Sequence, residues 1–168
     1  MSIGDTIVIA GITWRKFKED EKGNSYMLAD DITEEAVFGD TNDWKDSPIR
    51  EKLKTIAEQI EKEIGKRIIP IEVDLLSLDG LRDYGTCVDK VSILTYDLYR
   101  NNRSTIKPCG GWWWLCTPSS APSGVTKDTE MLRRYSYRNI EYVGTLGIGY
   151  DTHYARKGVR PFFILKAK

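Results

Sequence analysis

The 168-residue chain is poor in the features that most directly announce a function. It has no net charge, with 25 basic and 25 acidic residues. That excludes a bulk electrostatic pull toward nucleic acid or membrane, and the small colloidal repulsion is compatible with assembly. It has three cysteines, Cys87, Cys109 and Cys116. An odd number without a leader peptide argues against a disulfide framework. No C-x2-C pair is present, so zinc held by these cysteines with His153 is not expected. No apolar run approaches membrane-spanning length. The N-terminus Met1-Ser2-Ile3-Gly4-Asp5 has no basic region followed by an apolar core, so no signal peptide is expected. The expected location is a cytosol, or outside the cell by a route that needs no signal, such as lysis. His153 is the sole histidine and has no acid or nucleophile partner at a recognisable spacing. Neither a catalytic group, a metal nor a cofactor is expected.

What is present reads as a single α+β domain. Residues 6 to 18 carry apolar side chains on both faces and read as one strand, with Gly11 marking a bulge or bend. A charged turn at 19 to 24 leads to a return strand over 25 to 30. The acids of 40 to 47 lack calcium-loop spacing and read as turn and cap chemistry. Ser47 is placed to cap an amphipathic helix over 48 to 64, with Pro48 at its first position and Gly65 as its stop. Ile49, Leu53, Ile56 and Ile60 fall on its apolar face. A connection over 68 to 78, a short helix near 77 to 84, a strand over 90 to 94 and a brief helix after Thr95 follow. Residues 161 to 166 read as a terminal strand. Pro161 belongs at its start or on an edge, because proline cannot donate to a ladder.

The densest signals lie near the C-terminus. Trp112, Trp113 and Trp114 cannot all share a strand face, since side chains alternate; Trp112 and Trp114 take one side and Trp113 the other. At least two are expected in the core, given the area a tryptophan buries. From 131 to 160 six Lys or Arg face two acids, Glu141 and Asp151. Within that segment Arg133, Tyr135 and Tyr137 alternate with Arg134, Ser136 and Arg138. Buried unpaired arginine is costly. Arg134 and Arg138 are therefore expected in solvent, with Tyr150 and Tyr154 as aromatic anchors of the same contact surface. Gly144, Gly147 and Gly149 read as turn glycines, without the Lys-Ser/Thr of a phosphate loop.

Several motifs resemble an uncharacterised domain family of bacteria and their phages. They are a Gly4 to Trp14 opening strand, a helix start with Trp44, Ser47, Ile49 and Arg50, a Lys90 to Thr95 strand, a Trp-Trp-Leu-x-Thr-Pro run ending at Pro118, and Gly158-Val159-Arg160-Pro161. Cys116 stands where that family has an arginine. The closing motifs are similar to the end of the C-type-lectin-like fold. The resemblance implies paired N- and C-terminal strands and ligand-facing loops within 119 to 157. Trp112, lying outside the Trp-Trp motif, is the tryptophan expected at the surface. Arg160 is expected to order loops through its forked donors. The formylglycine-generating relatives of that fold use paired cysteines near the C-terminus, and this chain has none there.

The expected function is a non-enzymatic phage or prophage binding domain. It would recognise a cell-surface glycan or protein, or join a virion assembly. The ligand-binding candidates are Trp112, Arg134, Arg138, Tyr150 and Tyr154. Expected partners are a protein or glycan, virion proteins or further copies of the chain; nucleic acid and membrane are not expected. The alternatives are an intracellular phage protein that binds a host defence protein and, disfavoured, an enzyme.

Overall fold

The computed structural model describes residues 1–124, 139–144 and 147–167. The first apolar stretch makes two strands instead of one. Strand β1 (Thr6–Ile9) turns at Ala10 and Gly11 and returns as β2 (Ile12–Glu19), with Ile9 facing Ile12. Both turn residues have positive φ, 51° and 73°, as a two-residue hairpin of type I′ requires. Glycine adopts that region freely, whereas Ala10 pays for its Cβ. The Ala10 N–H is tied to the Glu63 carboxylate at 2.6 Å. Apolar alternation runs through the turn, which is why the pattern reads as a single strand.

The first sheet continues through β3 (Ser25–Ala29) to β13 (Pro161–Leu165). On its other side β13 pairs with β5 (Ile68–Ile69) and β8 (Val91–Ile93). All these pairings are antiparallel. The expected direct pairing of residues 6 to 14 with 161 to 166 is therefore corrected. The two segments share a sheet, but β2 and β3 separate β1 from β13. The hairpin turn at Ala10 adds one of these strands, and β3 itself takes the place beside β13. Pro161 does open its strand, opposite Ile93.

Helix α1 (Pro48–Ile64) packs against β8 and β1. Its first turn is capped by Ser47 Oγ, which accepts from the Ile49 N–H at 3.3 Å. Gly65 ends it with φ 70°. The buried stripe is Ile49, Leu53, Ala57 and Ile60, while Ile56 is only half-buried. The helix expected near 77 to 84 is instead the loop of a small hairpin, β6 (Ile71–Asp74) with β7 (Thr86–Asp89). Gly80 and Gly85 adopt positive φ there, which breaks helical geometry. Helix α2 (Tyr96–Asn102) is capped by Thr95 Oγ1, which accepts from the Leu98 N–H at 3.1 Å.

The second sheet has the order β11 (Gly147–Thr152), β10 (Asn139–Gly144), β9 (Trp113–Pro118), β12 (Arg156–Val159), β4 (Glu34–Val37). Only β9 and β12 run parallel. Every residue of β9 is buried, so its side chains meet core on both faces. One apolar cluster joins the two sheets and α1. The fold is thus mixed α+β, with short strands outnumbering the two α-helices among the described residues. No helix among the described residues is long and apolar enough to cross a membrane.

Candidate functional site

Several of the motif residues turn out to be structural. Arg160 lies between β12 and β13, where the chain passes from one sheet to the other, and is 1% exposed. Its Nε donates to the Ala29 carbonyl at 2.8 Å, and its Nη2 donates to the carbonyls of Lys107 and Asp30 at 3.0 and 3.3 Å. The guanidinium also lies 5.2 Å from the Trp113 ring centroid. Burial pushes its pKa down. No carboxylate pairs with it among the described residues. Arg160 therefore ties two other chain segments, 29–30 and 107, to its own through their backbones, as its expected loop-ordering role requires. Gly158, two residues earlier, lies under Ile32: an added Cβ would sit 2.5 Å from Ile32 Cδ1.

The helix-start motif converges on one carboxylate. Trp44 Nε1 donates to Asp89 Oδ2 at 2.8 Å, and Arg50 Nε donates to Oδ1 at 2.7 Å. Ser47 Oγ donates to the Phe38 carbonyl. Cys116, in the place of the family arginine, is fully buried with Sγ 3.4 Å from the Ile93 carbonyl oxygen. Burial pushes its thiol well up, and burial with Asp89 raises that of Cys87 to about 11. Neither is a thiolate at neutral pH, so neither is an activated nucleophile.

The accessible chemistry begins at Trp112. It is 52% exposed, whereas Trp113 and Trp114 are buried. Its ring stacks on Tyr142 with centroids 5.5 Å apart and planes 21° apart. The Lys157 ammonium lies 4.9 Å from the Trp112 centroid, 4.5 Å from Tyr142 and 5.7 Å from Trp114. Three aromatic rings thus surround one cation. Lys157 is 5% exposed and also donates to Asp151 Oδ2 at 2.7 Å. Burial pushes the Asp151 carboxyl up, but Lys157 and the Thr152 N–H outweigh it and hold the group below the ordinary aspartate range. Gly149 pairs with Tyr142 across the ladder, and an added Cβ there would meet the phenol oxygen at 2.9 Å. It is therefore not a turn glycine; its missing side chain lets Tyr142 lie against the sheet and present Trp112.

The other expected contact residues divide. Arg134 and Arg138, with Tyr135 and Tyr137, lie outside the described residues. Tyr150 sits in β11 opposite Glu141. Tyr154 is exposed in the turn after β11. That turn adjoins Thr152, which pairs with Asn139, whereas Trp113 pairs with Val143 near the other end of β10.

Sequence reasoning missed a groove of about 1350 Å³ against the first sheet. Its floor includes Tyr26, Phe162 and Ile164, and its walls come from the 18 to 24 hairpin, β6 and α2. Tyr26 faces Ile164 in the ladder, and Leu28 faces Phe162, so these rings and branches share one sheet face. The exposed Leu78 adds an apolar rim. No local signal marks the groove, because three segments distant in sequence build it.

On the same side of the molecule as Arg160, Asp30 ties down the end of β3. Arg15 Nε reaches its Oδ1 at 2.5 Å and Lys107 Nζ its Oδ2 at 3.1 Å. The Arg15 hydrogen bond, with help from Lys107, holds its carboxyl below the usual range. A depressed native pKa means the unfolded chain takes up the proton first. This contribution is complete above the unfolded value of about 4 and is lost as pH falls through the lower native value. Asp30→Asn should therefore flatten the decline of the denaturation midpoint below about pH 4, and an unchanged acid limb would show that Asp30 is not among its causes.

Compared with family models, curated proteins and solved structures, the chain matches none.

Proposed function

We propose that the chain is a non-enzymatic binding domain of phage or prophage origin, with a C-type-lectin-like arrangement, that recognises a cell-surface glycan through Trp112. The carrying observation is the half-exposed Trp112 ring, stacked on Tyr142 over a buried ammonium. Large rings preorganised by packing lose little freedom on binding. The outward face of an indole is apolar and flat, and it complements the C–H face of a pyranose. The origin and the fold name rest on the motif resemblance alone.

An array of bacterial surface polysaccharides, probed with labelled protein, tests this reading. Binding to a subset is expected, and Trp112→Ala should weaken it about tenfold or more. Because Trp112 contributes an exposed ring, its melting temperature should fall little. Wild-type affinity in the variant would remove Trp112 from the site.

The groove favours a second reading, in which the partner is a host protein, such as a defence protein inside the cell. Its apolar floor and mixed charged walls suit an extended peptide segment. Leu78→Asp on its rim should abolish capture of such a protein while sparing glycan binding. The reverse pattern, with only Trp112→Ala affecting any ligand, favours the first reading.

A further inference from the structure

The loop from Asp40 to Asp46 and the turn after β11 enclose a recess of about 360 Å³. Asp40, Asp43 and Asp46 line it, and no lysine or arginine does among the described residues. Lys45 reaches Asp43 at 3.4 Å without lining the recess. Asp40 and Asp46 pair with no cation among the described residues. Tyr84 and Tyr154 also contribute to its walls. The Tyr84 hydroxyl donates to Asn42 Oδ1 at 2.6 Å. Burial, then Asp43, pushes its pKa up to about 12, so it adds no charge at neutral pH. A concavity lined by one sign of charge focuses potential and gathers counter-ions.

A second observation makes this more than an acidic surface. His153 is 2% exposed and lines the same recess. Its Nδ1 lies 2.8 Å from the Gly39 carbonyl oxygen. A carbonyl only accepts, so Nδ1 carries a proton, and with that single ring proton Nε2 is an acceptor. Nε2 has no hydrogen-bond partner among the described residues. The ring is held in place, because the His153 carbonyl accepts from the N–H groups of Phe38 and Gly39 and the Tyr154 ring lies 4.0 Å away. The nearly buried His153 side chain therefore lines the same recess as Asp40 and Asp46, which pair with no cation among the described residues.

We propose that this recess binds a primary ammonium group. Such a group has three donors and no acceptor, which matches one imidazole nitrogen and two carboxylates. The tyrosine rings add cation–π attraction. A metal ion fits less well, since no group of three or more His, Cys, Asp or Glu side chains among the described residues has metal-holding geometry. The ammonium can arrive on a free diamine or on the lysine of a partner, and the chemistry is the same.

His153 is the chain's only histidine, so its ring signal assigns itself in an NMR spectrum. The intact chain is titrated at fixed pH with 1,4-diaminobutane and, separately, with an Nα-acetyl-lysine amide. Controls in which every amine is acetylated, so that no ammonium remains, are titrated alongside. A saturable His153 shift is expected with at least one amine and not with its control. Saturation by the diamine alone identifies the free source, and saturation by the lysine amide identifies the partner's side chain. Asp40→Asn with Asp46→Asn should weaken the interaction about tenfold or more. Both positions are exposed, so the double variant should keep its fold. A His153 signal that stays put throughout overturns the proposal. So does a shift that the acetylated controls reproduce, or one undiminished in the double variant.

Discussion

Replacing Asp89 with alanine is expected to destabilise the fold by about 3 to 5 kcal/mol, the cost of breaking a buried, hydrogen-bonded charge pair. Asp89 is nearly buried and accepts from two elements at once, Trp44 before α1 and Arg50 within it. Its loss strands the indole N–H of the fully buried Trp44 and leaves the Arg50 guanidinium, itself only 17% exposed, without its counter-charge. Asp89→Asn should recover part of the loss, because an amide keeps one acceptor but no charge. Urea denaturation of Asp89→Ala, Trp44→Phe and the double variant forms a cycle. The two single effects should be strongly non-additive, since both remove the same hydrogen bond. A loss below about 1 kcal/mol in Asp89→Ala would show that the helix start is held by packing alone.

Arg160→Met should cost about 2 to 4 kcal/mol, and the size of the loss decides between two opposing effects. Methionine removes the desolvation cost of a buried guanidinium whose Nη1 has no hydrogen-bond partner. It also takes the donors from the carbonyls of Ala29, Asp30 and Lys107. Charge-assisted bonds contribute about 1.5 to 3 kcal/mol each, so losing three should outweigh the relief from desolvation. Arg160→Lys should do little better, because a point ammonium cannot fork to three separated carbonyls. A methionine variant as stable as the natural chain would mean that desolvation wins and that the arginine serves something other than stability.

These two sites also show what could be read from the residues alone. The Ser47 cap, Pro48 and the Ile49–Leu53–Ile60 stripe placed α1 at its observed bounds, because capping and periodicity are local signals. Thr95 as a cap and Pro161 as a strand start were legible for the same reason. The first hairpin was not, since Ala10-Gly11 lacks the asparagine or aspartate that usually announces a type I′ turn. The roles of Trp112, Tyr142 and Gly149 depend on the register of three strands, which no single-strand pattern encodes. His153 had no visible partner because its neighbours, Gly39 and the 40 to 46 loop, lie more than a hundred residues earlier. The acids of that loop read as turn chemistry, and Asp43 does cap its short 3₁₀ turn by accepting from the Lys45 N–H at 3.0 Å. The same side chain also faces the recess.

The central place of β13 has a consequence for how the molecule is made. Residue 28 pairs with residue 162, and residue 25 with residue 165. On a chain emerging from the ribosome, β1, β2 and β3 can form their meander early, but the inner edge of β3 waits unpaired until every other strand has been synthesised. Pairings this distant in sequence are slow to close. A waiting edge is also a template for pairing with another chain. The apolar Tyr-Met-Leu-Ala of β3 makes that interval the most aggregation-exposed stage of biosynthesis, and truncation before Pro161 would make it permanent.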